Sequence, residues 1–489
     1  MSNDLPNDEF RAALHRAADL AADYLDGVAE YPVLPRVQPG EVTASLPAAP
    51  PAEGEPMERI LDDYQRLIEP AMTHWNHPGF MAYFSITGSG PGIVGETLAA
   101  TLNVNAMLWR TSPAAVELER LVCDWLRQML DLPEIFQGHI NDTASSSTLL
   151  ALAAARHRQA LQLKDRPRHD VRQHGLFGAP PMSVYTSDQA HSSVDKAAIT
   201  LGLGLDGVRR VASDEDFRLD PAALAAAVAE DRAAGRLPIA VVATVGTTST
   251  TSIDPLEPIL EICRREDLWL HVDGAYGGSA GICPEYRELM RGMEGADSIV
   301  INPHKWLFVP VDCSVLWLRD EEELKEAFSL VPEYLKTGDT GVTNLMDFGP
   351  QLGRRFRALK MWMVFRSFGV EGLRRRIREH CRWARELAER IDADPHFEVS
   401  APVPFSLVCF RALDGADGPD EDGEAQDRFN RRLMEAINAD GTIFLSHTVL
   451  RDRYVLRLAI GNLRTTEEFV QDAWRLIQET AERLRREGS

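Results

Sequence analysis

Short apolar runs alternate with helix-like segments through the middle of the chain. The strand-like runs consist mostly of apolar and β-branched residues and occupy residues 183–186, 239–245, 268–272, 298–301 and 314–318. Segments with the apolar period of a helix lie between them, at residues 192–203, 221–234 and 256–266. This alternation predicts a mostly parallel sheet with helices on both faces, so ligand chemistry is expected at the carboxyl ends of the strands.

The N-terminal part has a different pattern. Residues 9–30 predict an amphipathic helix, and a proline-rich extended segment joins it to a second helix at residues 57–68. Because this arm lacks an obvious core of its own, we expect it to pack on a partner subunit. A long helical section, interrupted near Pro113, is predicted for residues 91–130.

The C-terminal part changes pattern again. A long helix is predicted to end near residue 391, and strands and helices of an α+β tail follow. The acidic loop at residues 414–426 is expected to be disordered. We therefore divide the chain into an N-terminal helical arm and dimerisation segment (1–88), a large α/β domain (89–360) and a small C-terminal α+β domain (361–489).

Composition narrows the classes of function. The chain has 489 residues and a net charge of −22, which argues against nucleic acid or an anionic membrane as a partner. No apolar stretch approaches the roughly 18 residues that span a bilayer, and the acidic N-terminus lacks a basic, apolar leader, so a cytoplasmic location is expected. The six cysteines have no paired metal spacing, which predicts free thiols and no metal site.

Two strand ends carry residues suited to chemistry. One apolar run ends at Asp273 and is followed by small residues that would let a flat ligand approach the backbone. Another ends at Asn302 and Pro303, which places Lys305 at a strand end beside apolar neighbours. Desolvation lowers the pKa of such a lysine toward a free amine that attacks carbonyls. A lone lysine here would be a snorkelling side chain, but a carboxylate and an amine together suit a pyridinium aldehyde cofactor.

Three further segments are candidates for binding. A turn of small hydroxyl residues, Thr143 to Thr148, opens into an Ala/Leu-rich helix whose positive end suits a phosphate, although many such caps bind only their own helix. His191 follows a predicted strand and is either catalytic or structural. Aromatic residues and glycines crowd residues 72–92, as core side chains or as one wall of an apolar pocket.

Together these motifs resemble the group II pyridoxal-phosphate-dependent decarboxylases, and most closely the aromatic L-amino-acid decarboxylases. The resemblance covers nearly the whole chain and is carried, in this order, by "DQAHSSVDKAA", "ATVGTTSTTSID", "HVDGAYGGSAG", "NPHKWLFVPVDCS" and "LGRRFRALKMW". It implies an aspartate-aminotransferase-type (type I) fold and a homodimer whose active sites are shared between subunits. The implied activity is decarboxylation of an aromatic L-amino acid (Tyr, Dopa, Trp or Phe) to its amine and CO₂.

The resemblance also implies residue roles. Lys305 is the implied Schiff-base lysine, Asp273 the partner of the pyridine nitrogen, and Tyr334 a proton donor on a mobile loop that includes Gly338, Thr340 and Gly341. The other implied cofactor-binding residues are His191 and Ala275, on opposite faces of the ring, Thr248, beside the cofactor and the substrate carboxylate, and the phosphate-binding Ala144, Ser145, Asn302 and His304. The expected substrate pocket contains Trp75, Tyr83, Phe84, Ser85 and Met107.

Departures from the family pattern leave the substrate open. Ser85 stands where proline is frequent, Met107 where an aromatic residue is frequent, and Arg110 where small residues are common. One alternative is a decarboxylase for an acidic or other non-aromatic amino acid, with Arg110 as a carboxylate clamp. Another is an aldehyde-forming relative, against which Tyr334 and His191 argue. A third is a catalytically silent protein that binds the cofactor.

Overall fold

The computed structural model of the protein describes residues 4–163, 170–330, 341–413 and 423–488. The strands are β1 Gln137–Asn141, β2 Met182–Ser187, β3 Val208–Val211, β4 Leu237–Thr244, β5 Trp269–Asp273, β6 Ser298–Ile301, β7 Ser314–Leu318, β8 Phe397–Val399, β9 Leu407–Ala412, β10 Ser446–Leu450 and β11 Arg453–Ala459. The helices of the first half are α1 Asn7–Gly27, α2 Glu41–Ser45, α3 Met57–Asp63, α4 Gly90–Leu102, α5 Pro113–Met129, α6 Ala144–Leu161, α7 Val171–His174, α8 Ser193–Thr200 and α9 Pro221–Ala233. Those that follow are α10 Leu256–Glu266, α11 Pro284–Arg287, α12 Pro303–Trp306, α13 Glu321–Phe328, α14 Ala358–Ala393, α15 Glu424–Asp440 and α16 Glu467–Gly488.

Seven strands form the large sheet, in the order β1-β7-β6-β5-β4-β2-β3. Neighbouring strands from β6 to β3 run parallel, whereas β7 runs antiparallel to both β6 and β1. The predicted mostly parallel α/β fold is therefore confirmed. Parallel strands end at the same edge of a sheet, which brings the ends of β4, β5 and β6 side by side.

The sequence explains why these strands occupy the centre. All residues of β2, β5 and β6 are buried, as expected for parallel strands covered by helices. Helix α6 packs against β4, β5, β6 and β7. Its many alanines allow close approach to the sheet, because an alanine side chain fills little of the space between helix and strand.

The smaller sheet has the strand order β10-β11-β9-β8, and β10 and β11 pair antiparallel as a hairpin. Helices α15 and α16 pack together, and α15 covers β11. The α+β tail predicted for the C-terminal part has this arrangement. Helix α14 is interrupted at Gly369, whose φ of 64° lies in the left-handed region that glycine tolerates.

The chain groups into two compact units. The first unit comprises residues 1–85, 391–398 and 410–489, and the second comprises residues 86–390 and 399–409. This grouping differs from the sequence-based division, because the N-terminal arm shares a unit with the C-terminal strands and most of α14 belongs with the large sheet. The proposed boundaries at residues 88 and 360 stay predictions about separate domains.

Some elements differ from the expected ones. The sequence pattern missed β1 and β3, and α15 already begins at Glu424, inside the segment expected to be disordered. The rest of that acidic loop, residues 414–422, lies outside the described residues. No helix in the described ranges combines the length and apolarity needed to cross a bilayer.

Candidate active site

Asp273 and Lys305 lie at the neighbouring ends of β5 and β6. Asp273 is opposite Val300 in the parallel register, and the Gly274 amide donates to the Val300 carbonyl oxygen at 2.9 Å. The Asn302 amide donates to the Ala275 carbonyl oxygen at 3.2 Å, which ties the two loops together. Lys305 follows in the single turn of α12. The structure thus brings together the carboxylate and the amine that the sequence placed 32 positions apart, at 273 and 305.

The surroundings act in opposite directions on the Lys305 amine. Burial lowers the pKa of Lys305, and the Asp273 carboxylate raises it, with burial the larger effect. Asp273 is itself buried, and its Oδ1 accepts a hydrogen bond from the Ala275 amide at 3.0 Å. A lysine with a lowered pKa has more of the free amine that reacts with an aldehyde.

His191 lies between β2 and α8, on the exposed side of the site. Its Nδ1 accepts a hydrogen bond from the Ser193 amide at 3.1 Å, so the ring proton of the neutral form is on Nε2. Desolvation lowers the pKa of His191, Asp273 raises it and Lys305 lowers it. These causes place His191 in the electrostatic environment of the carboxylate and the amine.

The N-terminus of α6, which the sequence suggested for a phosphate, lies in the same unit. Thr143 caps the helix by accepting the Ser146 amide at 3.4 Å, and Ala144 and Ser145 begin the first turn, where amides have no partner within the helix. His304 Nδ1 accepts from the Cys313 amide at 2.9 Å. Burial lowers the pKa of His304 to about 3, which leaves a neutral ring with a donor at Nε2.

Polar atoms of Asn302 and Thr244, beside the ends of β6 and β4, are buried and unsatisfied. In the described part of the chain, Asn302 Oδ1 and Thr244 Oγ1 have no hydrogen-bond partner. Thr244 is opposite Asp273 in the β4–β5 register. Since buried polar atoms in proteins are nearly always paired, these atoms indicate a polar group that the chain itself does not supply.

The glycines after β5 lie close to other parts of the protein. A Cβ at Gly277 would lie 2.6 Å from the Phe405 ring and 2.7 Å from the Val245 carbonyl oxygen, and one at Gly278 would lie 2.9 Å from Ile301. These glycines therefore permit close packing of the loop on the protein. The expectation that small residues here let a flat ligand approach the backbone stays a prediction.

The remaining predicted residues occupy several places. Thr248 follows β4 and is exposed, and Ala275 is buried directly after the Asp273 strand. Tyr334, together with Gly338 and Thr340, lies outside the described residues, whereas Gly341 is described with φ of 76°. Arg110 is exposed.

The predicted pocket residues are divided between the two units. Trp75, Tyr83, Phe84 and Ser85 belong to the first unit, and Met107 belongs to the second. In the first unit the Trp75 ring stacks on Phe80 with centroids 4.2 Å apart, while Tyr83 remains 48% exposed. Met107 packs beside Leu108 and Met346.

Sequence reasoning missed three buried polar side chains around the site: Thr244, Ser193 and His271. Ser193 Oγ is buried without a hydrogen-bond partner in the described ranges, like Thr244 Oγ1. The signal in the sequence was a polar residue within or directly after an apolar run. That signal is weak, because most such residues only satisfy their neighbours.

The fold and these groups define a class of enzyme. Lys305 offers an amine and Asp273 a carboxylate at adjoining strand ends, while α6 and His304 offer donors for an anion. Asn302 Oδ1 still needs a polar partner. The site therefore fits pyridoxal phosphate, which has an aldehyde, a ring nitrogen and a phosphate, and the class is that of lysine-linked pyridoxal-phosphate enzymes with an α/β fold.

The chain belongs to the pyridoxal-dependent decarboxylase family, whose conserved domain matches residues 39–413. It is 40% identical to the aromatic-L-amino-acid decarboxylase of Rattus norvegicus, over 97% of each chain. It is also 40% identical to a phenylacetaldehyde synthase of Arabidopsis thaliana, over 98% of this chain and 97% of the relative. A crystal structure of Oryza sativa TDC with PLP and tryptamine matches 99% of this chain and 100% of its own, with a TM-score of 0.94 and 38% identity.

These comparisons confirm the predicted family, the predicted fold and the dependence on pyridoxal phosphate. The protein is a pyridoxal-phosphate-dependent amino-acid decarboxylase.

Proposed function

We propose that the protein decarboxylates an aromatic L-amino acid, one or more of Tyr, Dopa, Trp and Phe, to the corresponding amine and CO₂. The observation that carries this proposal is the Asp273–Lys305 pair at the ends of β5 and β6, in a chain that is 40% identical to an aromatic-L-amino-acid decarboxylase over 97% of its length. The roles of individual residues are part of the proposal.

Five groups would hold the cofactor. Lys305 Nζ would bind the aldehyde carbon, and Asp273 would pair with the ring nitrogen. The amides of Ala144 and Ser145 at the start of α6 and the Nε2 donor of His304 suit the phosphate. All of these groups belong to the second unit.

The cofactor, when bound, accepts the electron pair of the bond that breaks at the substrate Cα. Asp273 stabilises the positive charge of the protonated ring nitrogen by Coulomb attraction, which is strong because the carboxylate is buried. His191 would cover one face of the ring as a neutral imidazole, and Ala275 would lie against the other. A neutral His191 adds no positive charge beside Lys305, so it does not suppress the charge on the amine further.

A proton must return to Cα after CO₂ leaves. We assign this role to Tyr334, with His191 Nε2 as a relay, since a phenol and an imidazole are both competent general acids. Thr248, exposed after β4, would contact the substrate carboxylate beside the cofactor. The assignment of Tyr334 depends on the family resemblance alone.

The proposed assembly is a homodimer with shared active sites. Helix α1 spans 21 residues and has no residue buried within the chain, and its Phe10 and Leu14 side chains are 46% and 42% exposed. An amphipathic helix with no fully buried residue is consistent with burial against a second copy. The residues proposed to contact the substrate are Trp75, Tyr83, Phe84, Ser85 and Met107.

A second candidate function is the formation of an aldehyde from the same substrates, which the 40% identity to a phenylacetaldehyde synthase favours. Tyr334 and His191 support simple decarboxylation instead. A preference for acidic amino acids would require a carboxylate clamp, for which Arg110 remains the candidate.

Product analysis tests the proposal. The purified protein is incubated with pyridoxal phosphate and an equimolar mixture of amino acids, and the products are identified by mass spectrometry. Aromatic amines and CO₂ are expected, while aldehyde with ammonia would support the second candidate, and amines of acidic amino acids would contradict the aromatic assignment. Borohydride reduction followed by peptide mass spectrometry should place the cofactor on Lys305, and the Lys305→Arg variant serves as the negative control.

A further inference from the structure

His271 is a fully buried histidine within β5, two positions before Asp273. Alternate residues of a strand lie on the same face of the sheet, so the side chains of His271 and Asp273 are directed to the same side.

Both ring nitrogens of His271 contact hydroxyl groups on other elements. Nε2 lies 3.3 Å from Thr148 Oγ1 of α6, and Nδ1 lies 2.8 Å from Ser298 Oγ of β6. Ser298 Oγ also accepts a hydrogen bond from Trp269 Nε1 at 2.8 Å. One imidazole thus joins α6, β5 and β6.

These three elements carry the groups that would hold the cofactor. Ala144 and Ser145, whose amides suit the phosphate, lie at the start of α6, one turn before Thr148. Strand β5 ends in Asp273, and β6 leads to Lys305. We propose that His271 is a positioning residue that fixes the Asp273 carboxylate relative to the start of α6, so that ring nitrogen and phosphate are held at their required separation. This inference rests on the cofactor roles of Asp273 and α6 proposed above.

The charge state of His271 supports this role. Burial lowers the pKa of His271 to about 4, so the ring is neutral near pH 7, although Asp273 favours the charged form. The titratable groups that interact with Asp273 include Lys305 and His191 as well as His271. Because His271 is neutral, it orients the strand without cancelling the negative charge that the ring nitrogen needs.

The contact with Thr148 can be broken from either side. His271→Asn retains a polar group near the Nδ1 position and loses the reach to α6, whereas Thr148→Val removes the hydroxyl and preserves side-chain shape. Ser147→Ala is the matched control. It removes a buried hydroxyl from the same helix whose partners are Asn141 and Ser314 of β1 and β7, away from the Asp273 strand.

Two measurements on the full-length protein report the effect. The first is the dissociation constant of pyridoxal phosphate, measured by titration of the protein without cofactor. The second is the pH midpoint at which the visible band of the bound cofactor changes, which reports protonation of the nitrogen that joins it to Lys305. A displaced Asp273 holds the ring-nitrogen proton less well, and a less positive ring makes the linking nitrogen more basic.

We expect His271→Asn and Thr148→Val each to raise the dissociation constant about tenfold, as the loss of one buried hydrogen bond does. Each should also move the pH midpoint upward, and the double variant should differ little from either single variant, because both break one contact. Ser147→Ala should leave the midpoint unchanged. If His271→Asn does not fold, Thr148→Val alone decides the outcome.

A midpoint equal to that of the unsubstituted protein would overturn the proposal, even if affinity falls, because weaker packing alone changes affinity and not ring protonation. Additive effects in the double variant would overturn it as well. Failure of the proposed function has a different signature: the unsubstituted protein would show no reducible adduct on Lys305 and no amine product.

Discussion

At the scale of single residues, burial sets the protonation states of the side chains in the site. Burial lowers the pKa of Lys305 and so makes its amine a better nucleophile, and the Asp273 carboxylate opposes this change. His304 and His271 are both held neutral by burial, with pKa values of about 3 and about 4. The site therefore combines one anionic carboxylate, one amine with a lowered pKa and neutral imidazoles.

Substituting Asp273→Asn should lower the pKa of Lys305 further, because it removes the carboxylate that raises that pKa while burial remains. The measurement is the pH profile of acylation of Lys305 in the protein without cofactor, followed by peptide mass spectrometry. Lys325, whose pKa is raised by Glu321 and Glu322, serves as an internal control and should keep its profile. A Lys305 profile that stays in place or moves to higher pH would count against this account.

Acid should destabilise the folded protein through His271. Its pKa in the folded state, about 4, lies below the ordinary value of 6.5, so between these pH values only the unfolded chain takes up the proton. The contribution of neutral His271 to the free energy of unfolding is therefore fully present above pH 6.5. It decreases as the pH falls, by about 2 kcal/mol at pH 5. In urea unfolding of the protein without cofactor, His271→Asn should reduce the difference between pH 7 and pH 5 by about this amount. If the difference in unfolding free energy between pH 7 and pH 5 is the same in His271→Asn, the lowered pKa of His271 is refuted.

At the scale of elements, what could be predicted depended on how clearly the apolar runs end. The run of β6 stops at Asn302 and Pro303 and that of β5 at Asp273, so both strands, and the closeness of the residues at their ends, were predictable. Helix α10 was predicted with its observed bounds, 256–266. Strand β1, which contains a glycine and two amide side chains, and β3, which contains two arginines, lack an apolar pattern and were missed.

Other features of the site depend on packing that no local pattern encodes. The hydrogen bonds of His271 join residues 123 and 27 positions apart in the chain. Gly277 leaves no space for a side chain because Phe405, from a distant segment, packs against it. Only the three-dimensional arrangement gives these residues a role.

The capping of α6 gives a prediction at this scale. Thr143→Ala removes the side-chain oxygen that accepts the Ser146 amide, and the loss should cost about 1 kcal/mol of stability. Because the same turn would hold the phosphate, affinity for pyridoxal phosphate should fall too. Thr143→Ser retains the oxygen and should behave like the unsubstituted protein in thermal unfolding and in cofactor titration. Equal effects of both substitutions would contradict the capping role.

For the molecule as a whole, charge is the dominant general property. The chain has 52 basic and 74 acidic side chains. A net charge of this size favours solubility and disfavours the compact state through self-repulsion. The two compact units also show that chain order and spatial grouping differ, since residues 1–85 join the C-terminal strands.

Self-repulsion predicts a response to salt. Raising sodium chloride from about 10 mM to about 150 mM shortens the screening length from roughly 30 Å to roughly 8 Å. The thermal unfolding midpoint should therefore rise, and the measurement is a pair of calorimetric scans at constant pH. A midpoint that falls would show that attractive surface ion pairs outweigh the repulsion among the acidic residues.

The position of Trp306 should make its fluorescence a reporter of cofactor binding. Trp306 directly follows Lys305, is fully buried, stacks on Tyr276 at 4.6 Å and donates from Nε1 to His380. A chromophore attached to Lys305 would quench the fluorescence of this indole by energy transfer. Loading should therefore quench the ultraviolet emission of the protein, and Trp306→Phe should remove most of that quenching while the other eight tryptophans of the nine keep emitting. Equal quenching in the variant would assign the sensing to a different indole.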